Sequence, residues 1–136
     1  MNNIEQTLSI IKPDAVERNL IEKIKDIFKK NKLNIKDSKK IHLTKDEAAE
    51  FYKVHQSKPF YNDLCAYLSS GPIVVMILEG EDAVKTNRKI MGATNPKDAE
   101  ENTIRKLYGI SIDKNSVHGS DSLENAKKEI DFFFKS

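Results

Sequence analysis

Apolar and polar positions along the chain change their period several times, and each change marks an element. Gln6-Thr7-Leu8-Ser9-Ile10-Ile11 alternates with period two and predicts a strand that stops at Pro13. Leu20, Ile21, Ile24, Ile27 and Phe28 recur at helical spacing opposite a lysine-rich face, which predicts an amphipathic helix. Ile35 to Leu43 reads as a second strand made polar by Lys36, Lys39 and Lys40, charges that suit an edge because they discourage further pairing. Thr44-Lys45-Asp46-Glu47 has the form of a capping box and predicts a helix start. Pro59 separates that helix from a shorter one carrying Leu64 and Leu68. Ile73-Val74-Val75-Met76-Ile77-Leu78 is apolar on both faces and is the candidate central strand, ended by Gly80. Ala83, Val84, Asn87, Ile90 and Met91 share one side of the next helix. Residues 92 to 116 read as a long connection with a turn at Thr103 to Tyr108, and connections of that length in compact domains tend to carry function. A short strand at Val117 precedes a last helix whose buried stripe is Leu123, Ala126, Ile130 and Phe133.

The order β, α, β, helix pair, β, α, β, α contains a βαββαβ ferredoxin-like core with additions. That is an α+β sandwich with an antiparallel four-stranded sheet and added helices. No repeat or linker interrupts it, so residues 1–136 are expected to form a single domain. Hydrophobic residues make up 38% and charged residues 32%, which places the chain among folded rather than disordered proteins. The 23 basic and 21 acidic residues nearly balance at a net +2, so no bulk affinity for nucleic acid is expected. The single Cys65 cannot form an internal disulfide. No secretory leader precedes Ile4, and no apolar run approaches the roughly 20 residues that span a bilayer. The expected compartment is the cytoplasm, with no membrane partner.

The segment Asn115-Ser116-Val117-His118-Gly119-Ser120-Asp121-Ser122 carries the chemistry. It sets a histidine in a polar, glycine-containing turn just before a helix. An imidazole with one nitrogen free is a competent nucleophile at neutral pH and can take up a phosphoryl group. Glu129 lies about 40° from Phe133 around the last helix, at roughly 100° per residue, and could reach back to orient that ring. A solvated helix carboxylate is its plainer reading. Lys12 continues the alternation of Leu8 and Ile10, and so either meets an anionic ligand on the buried face or extends its stem to water. Arg88 and Arg105 are two of three arginines, the third being Arg18, against many lysines. Their planar forks clamp phosphate oxygens, although surface ion pairs would also account for each. Phe60 could stack on a base or pack in the core. Tyr52 shares a helix face with Ala48 and His55 and reads as packing, while His42 and His55 read as ordinary histidines. No Gly-x-x-x-x-Gly-Lys-Ser/Thr loop and no kinase glycine loop with an Asp-Phe-Gly partner is present, so phosphate chemistry here would use neither common ATP cradle.

Taken jointly, the motifs resemble those of the nucleoside diphosphate kinases along nearly the whole chain. Thr7 to Val16 is similar to the family's first strand. Phe51-Tyr52, His55 and Lys58-Pro59-Phe60 resemble its nucleotide-clamping helix pair. Ser70-Gly71-Pro72 and Leu78-Glu79-Gly80 resemble the borders of its central strand. Arg88-Lys89-Ile90-Met91-Gly92-Ala93-Thr94-Asn95-Pro96, Thr103-Ile104-Arg105 and Asn115 to Ser122 complete the match.

The resemblance implies that His118 is the nucleophile, phosphorylated on Nδ1, with Glu129 and Ser120 orienting it. It implies that Lys12, Tyr52, Arg88, Thr94, Arg105 and Asn115 contact phosphates or ribose, and that Phe60 stacks on the base with Leu64 and Ile112 completing the slot. Mg²⁺ would bridge the nucleotide phosphates, with no metal cage built from protein alone. The implied reaction is ping-pong transfer from a nucleoside triphosphate, typically ATP, to a nucleoside diphosphate, maintaining NTP and dNTP pools. Family members pair through the second strand or its neighbours into dimers, and dimers into tetramers or hexamers, so a homo-oligomer is implied.

Three departures stand out. Glu101-Asn102 replaces a usual Pro-Gly pair, Lys106-Leu107 replaces a common Ala-Asp, and Glu22 takes a common glycine position. The first puts the loop carrying Arg105 in question, since glycine allows backbone angles that other residues resist. Two other classes compete with the enzyme: a nucleotide-binding regulator that has lost catalysis, and a nucleic-acid-binding module using the lysines of the first helix and second strand. Intact Lys12, Arg105, Asn115 and His118 weigh against the regulator.

Overall fold

A computed structural model describes residues 4–53, 56–111 and 114–134; the expectations for His55 and Ile112 lie outside these described residues. Four strands form one antiparallel sheet in the order β2-β3-β1-β4: β1 (Ile4–Ile11), β2 (Asn34–Ile41), β3 (Ile73–Glu81) and β4 (Val117–Gly119). Helices α1 (Pro13–Glu17), α2 (Ile21–Lys30), α3 (Lys45–Phe51), α4 (Tyr61–Leu68), α5 (Ala83–Met91), α6 (Ile104–Tyr108) and α7 (Leu123–Phe134) pack around it. This is the ferredoxin-like α+β sandwich with added helices that the element order predicts.

The sheet is covered on both faces. Ile11, Val74, Met76, Leu78 and Val117 meet Ile24 and Phe28 of α2 and Ile90 and Met91 of α5. On the other face Leu8, Ile10, Ile73 and Val75 meet Tyr52, Cys65, Leu68 and Phe133. Burying each large apolar side chain contributes about 1.5–3 kcal/mol. Double coverage explains why the polar positions of β1 are not solvated: Thr7 and Ser9 are as fully buried as Leu8 and Ile10.

β3 lies between β1 and β2, which is why its run of six apolar residues has no polar face. β2 has one neighbour and is exposed over most of its length, with a bulge between Ile35 and Asp37. It ends at Ile41 rather than Leu43 because its last partner on β3 is Ile73. Thr44 caps α3 in a complete capping box: its Oγ1 accepts from Glu47 N at 3.1 Å, and Glu47 Oε1 accepts from Thr44 N at 2.9 Å. The five-residue α1 is an addition to the elements predicted above. It is too short to show a periodic stripe, and its sequence signal is Pro13 at the first helical position.

Candidate active site

Two chain segments far apart in sequence make the floor of the site. Ile10 pairs with His118 across the β1–β4 ladder, and Lys12 N donates to Ser116 O at 2.8 Å just beyond it. Ser116 holds a left-handed φ of 75°, a conformation that costs a non-glycine residue on the order of 1 kcal/mol. Its side chain helps hold that turn, since Ser116 Oγ donates to Asp14 Oδ2 at 3.1 Å. Asp14 is buried and also accepts from the Tyr67 hydroxyl, whose pKa is pushed far up by burial and by that carboxylate. A network through α1, α4 and the loop thus fixes the approach to β4.

His118 is held from below. Its Nε2 lies 3.2 Å from Glu129 Oε1, an oxygen that also accepts from Ser120 Oγ at 2.7 Å. Ser120 is fully buried, and its Oγ accepts from Leu8 N at 3.3 Å, so the orienting group is itself anchored to β1. No hydrogen bond engages His118 Nδ1 among the described residues, and the ring lines an open cavity of about 850 Å³. Gly119 lets α5 lie against β4: a Cβ there would sit 2.4 Å from Asn87 Nδ2 and 2.8 Å from Met91 Sδ.

Cations converge on the same cavity. Lys12, 6% exposed, donates from Nζ to Asn115 Oδ1 at 2.8 Å, and Asn115 Nδ2 donates to Thr94 O at 3.0 Å. Arg105 donates from Nη1 to Gly92 O at 3.1 Å and from Nη2 to Val117 O at 2.9 Å. Burial, and then the like charge of Arg88, bring its pKa down to about 10. Both causes disfavour the cation, and both are offset when an anion arrives between the two guanidinium groups.

The loop before α6 carries the Glu101-Asn102 departure at a left-handed position. Asn102 adopts φ 68°, and asparagine is among the few residues that tolerate the left-handed region. Thr103 then caps α6, accepting from Lys106 N at 3.3 Å, while Lys106 and Leu107 face outward. Gly92 closes the packing here at φ 86°, where a Cβ would fall 2.5 Å from Thr103 Oγ1.

On the opposite wall Phe60, 43% exposed, stands at the start of α4 with Leu64 half-buried beside it. Tyr52 is buried, and desolvation pushes its hydroxyl pKa well up, with smaller effects of Cys65 and Glu129. Of the twelve candidate residues, ten line the one cavity: Lys12, Tyr52, Phe60, Leu64, Arg88, Thr94, Arg105, Asn115, His118 and Glu129. Ser120 sits behind the wall, and Ile112 is outside the described residues.

The cavity also includes residues that the motifs did not single out for a role, among them Phe51, Asp121, Lys128 and Phe132. Asp121 follows the histidine motif directly. Its pKa is lowered first by the Asn125 side chain, which donates to it at 2.6 Å, and also by Arg88. Phe51 and Phe132 give no polar signal in sequence. Among the described residues no group of three or more His, Cys, Asp or Glu could hold a metal ion, and no helix is long and apolar enough to cross a membrane.

Comparison with known proteins agrees over the whole length. The family model described as nucleoside diphosphate kinase matches residues 5–136. A nucleoside diphosphate kinase of Nitratiruptor is 61% identical over 131 residues, covering 96% of this chain and 96% of that protein. One of Campylobacter concisus is 59% identical over 133 residues, covering 98% and 97%. The crystal structure of the Aquifex aeolicus nucleoside diphosphate kinase superposes with a TM-score of 0.96 at 43% identity, covering 98% of this chain and 97% of that one. That of Encephalitozoon cuniculi gives 0.94 at 39% identity, with coverage of 97% and 90%. Shared motifs, a shared fold and about 60% sequence identity over 96–98% of the chain lead to one conclusion: the chain belongs to the nucleoside diphosphate kinase family and is a phosphotransferase with nucleotide substrates.

Proposed function

We propose that the chain transfers the γ-phosphoryl group of a nucleoside triphosphate to a nucleoside diphosphate by a ping-pong route through His118. The observation that carries this reading is the asymmetric imidazole, with Nε2 tied to Glu129 and Nδ1 without a hydrogen bond among the described residues, on a ring lining a cavity that Lys12, Arg88 and Arg105 also line. In the first half-reaction Nδ1 attacks the γ-phosphorus, the N–P bond forms, and the bond to the bridging oxygen breaks. The nucleoside diphosphate leaves with that electron pair. The proton on Nε2 stays on the ring and faces Glu129, whose carboxylate offsets the positive charge that the new N–P bond leaves on the imidazole. A second diphosphate then attacks the phosphorus, and the N–P bond returns its electrons to Nδ1.

Each candidate residue has a role in this reading. Lys12, Arg88 and Arg105 neutralise phosphate charge, and Asn115, Thr94 and Tyr52 complete the polar contacts to phosphate and ribose. Phe60 stacks on the base with Leu64 and Ile112 at its edges. Stacking reads no base edge, which accounts for one pocket serving donor and acceptor alike. Transfer then rests on positioning and charge neutralisation. Mg²⁺ would ride on the nucleotide phosphates rather than on a protein cage, because among the described residues no group of three or more His, Cys, Asp or Glu could hold a metal ion; bound there, it would offset phosphate charge.

The same reading has the chain working as one domain in the cytoplasm, maintaining nucleoside triphosphate pools. It assembles as dimers grouped into a tetramer or hexamer. The exposed edge of β2, open on one side, is a surface compatible with the pairing step.

The test is incubation with γ-labelled ATP and Mg²⁺ without an acceptor. An acid-labile, alkali-stable label, removed by GDP or dTDP and absent from His118→Ala, is expected. Transfer that persists in His118→Ala would overturn the relay.

A further inference from the structure

Glu129 fixes one atom of the His118 ring, and a single hydrogen bond leaves a planar ring free to tilt about that atom. The tilt is limited by a neighbour outside the motif. Phe51, the last residue of α3, stands edge-to-face with the imidazole, ring centroids 5.3 Å apart and planes at 78°. This is a preferred geometry for aromatic pairs. Phe51 is itself held in place, with ring centroids 5.1 Å from Tyr52, 5.2 Å from Phe133 and 5.8 Å from Phe132. It lines the cavity, and α7 supplies both Glu129 and two of the rings that hold Phe51.

We infer that Phe51 is a positioning residue for phosphotransfer: it holds the plane of the His118 imidazole so that Nδ1 meets the γ-phosphorus in line, and it keeps water from the N–P bond. The inference rests on the relay through His118 proposed above. Two consequences follow from its chemistry. A ring free to tilt spends less time in line, and misplacement by about 1 Å costs on the order of 100-fold in rate. A ring open to solvent loses its phosphoryl group to water. The water oxygen bonds to phosphorus, the N–P bond breaks toward Nδ1, and inorganic phosphate departs.

The experiment uses Phe51→Leu, which keeps apolar volume without a ring, and Phe51→Tyr, which keeps the ring. Three quantities are read: the single-turnover rate of phosphorylation from γ-labelled ATP, the Kd for ADP, and the lifetime of the phosphorylated protein without acceptor. For Phe51→Leu the phosphorylation rate is expected to fall about 10- to 100-fold while ADP affinity changes less than about threefold. The phosphorylated form should also lose its label several-fold faster to inorganic phosphate, and Phe51→Tyr should recover both properties. Phosphorylation at the parent rate in Phe51→Leu would overturn the inference. So would a loss that lies wholly in ADP affinity, or one that tyrosine does not recover. If Phe51→Leu fails to fold, Phe51→Met carries the same comparison. A parent protein that takes no label would instead refute the relay, so the two failures are distinguishable.

Discussion

Lys12 Nζ donates to Asn115 Oδ1 over 2.8 Å, joining the end of β1 to the loop that enters β4 across 103 residues of sequence. The amide of Asn115 also donates to Thr94 O, so one side chain ties the lysine to the segment after α5. Asn115→Ala removes both bonds at once. A hydrogen bond to a charged group contributes about 1.5–3 kcal/mol, which corresponds to a loss of roughly 10- to 100-fold in kcat/KM. Steady-state kinetics should show that loss, and Asn115→Asp should not repair it because the carboxylate cannot donate to Thr94 O.

Ser120 matters through what it anchors. Ser120→Ala leaves Leu8 N without its side-chain acceptor and takes from Glu129 Oε1 one of its two hydrogen-bond partners, in partly buried surroundings. Exposing such unmet groups costs about 1–3 kcal/mol, so Tm should fall by roughly 3–10 °C. The variant should still take label on His118, more slowly, because Nε2 keeps Glu129. Thermal unfolding combined with γ-phosphate labelling separates the two effects.

Asn102 bears on whether the altered loop is strained. At φ 68°, glycine would relieve little that asparagine does not already tolerate, so Asn102→Gly should change stability by less than about 1 kcal/mol. A β-branched residue pays the full left-handed penalty, and Asn102→Val should cost about 1–2 kcal/mol while lowering nucleotide affinity through Arg105. Denaturant unfolding and ADP titration of the two variants check this pair of outcomes.

Arg105 links binding to stability. Its pKa is depressed by burial and by Arg88, so the cost of holding it charged is fully present below its folded value of about 10. That cost is relieved only as pH rises through this value, since the unfolded group stays protonated longer. Across the neutral range the cost is constant, and an anion is what removes it. ADP at 100 times its Kd should stabilise the protein by about 2.7 kcal/mol, and Arg88→Ala should weaken ADP binding without lowering the Tm of the ligand-free protein. Thermal scans with and without ADP measure both.

Much of this protein is determined by residues close together in the chain. The alternation of β1, the capping box of Thr44 and Glu47 and the apolar run of β3 are each fixed by spacing and local hydrogen bonding, so they are legible without any tertiary contact; of the predicted α7 stripe, Ala126 and Phe133 are buried while Leu123, at the helix start, is 46% exposed. The motif from Asn115 to Ser122 likewise marks the histidine that lines the cavity.

Other features depend on partners brought together only by folding. α1 is too short to have a period, and β2 ends where Ile73 ceases to face it. Ser116 takes a left-handed turn in a loop held by Asp14, and Glu129 turns from a plain helix carboxylate into the partner of His118 because α7 packs across β1. Phe51 has no polar atom to draw notice, and only the packing of α3 beneath α7 sets its ring against the imidazole. Periodicity records which face of an element is apolar. It carries no information about which side chain that face will meet, because that is decided by close packing between segments tens of residues apart.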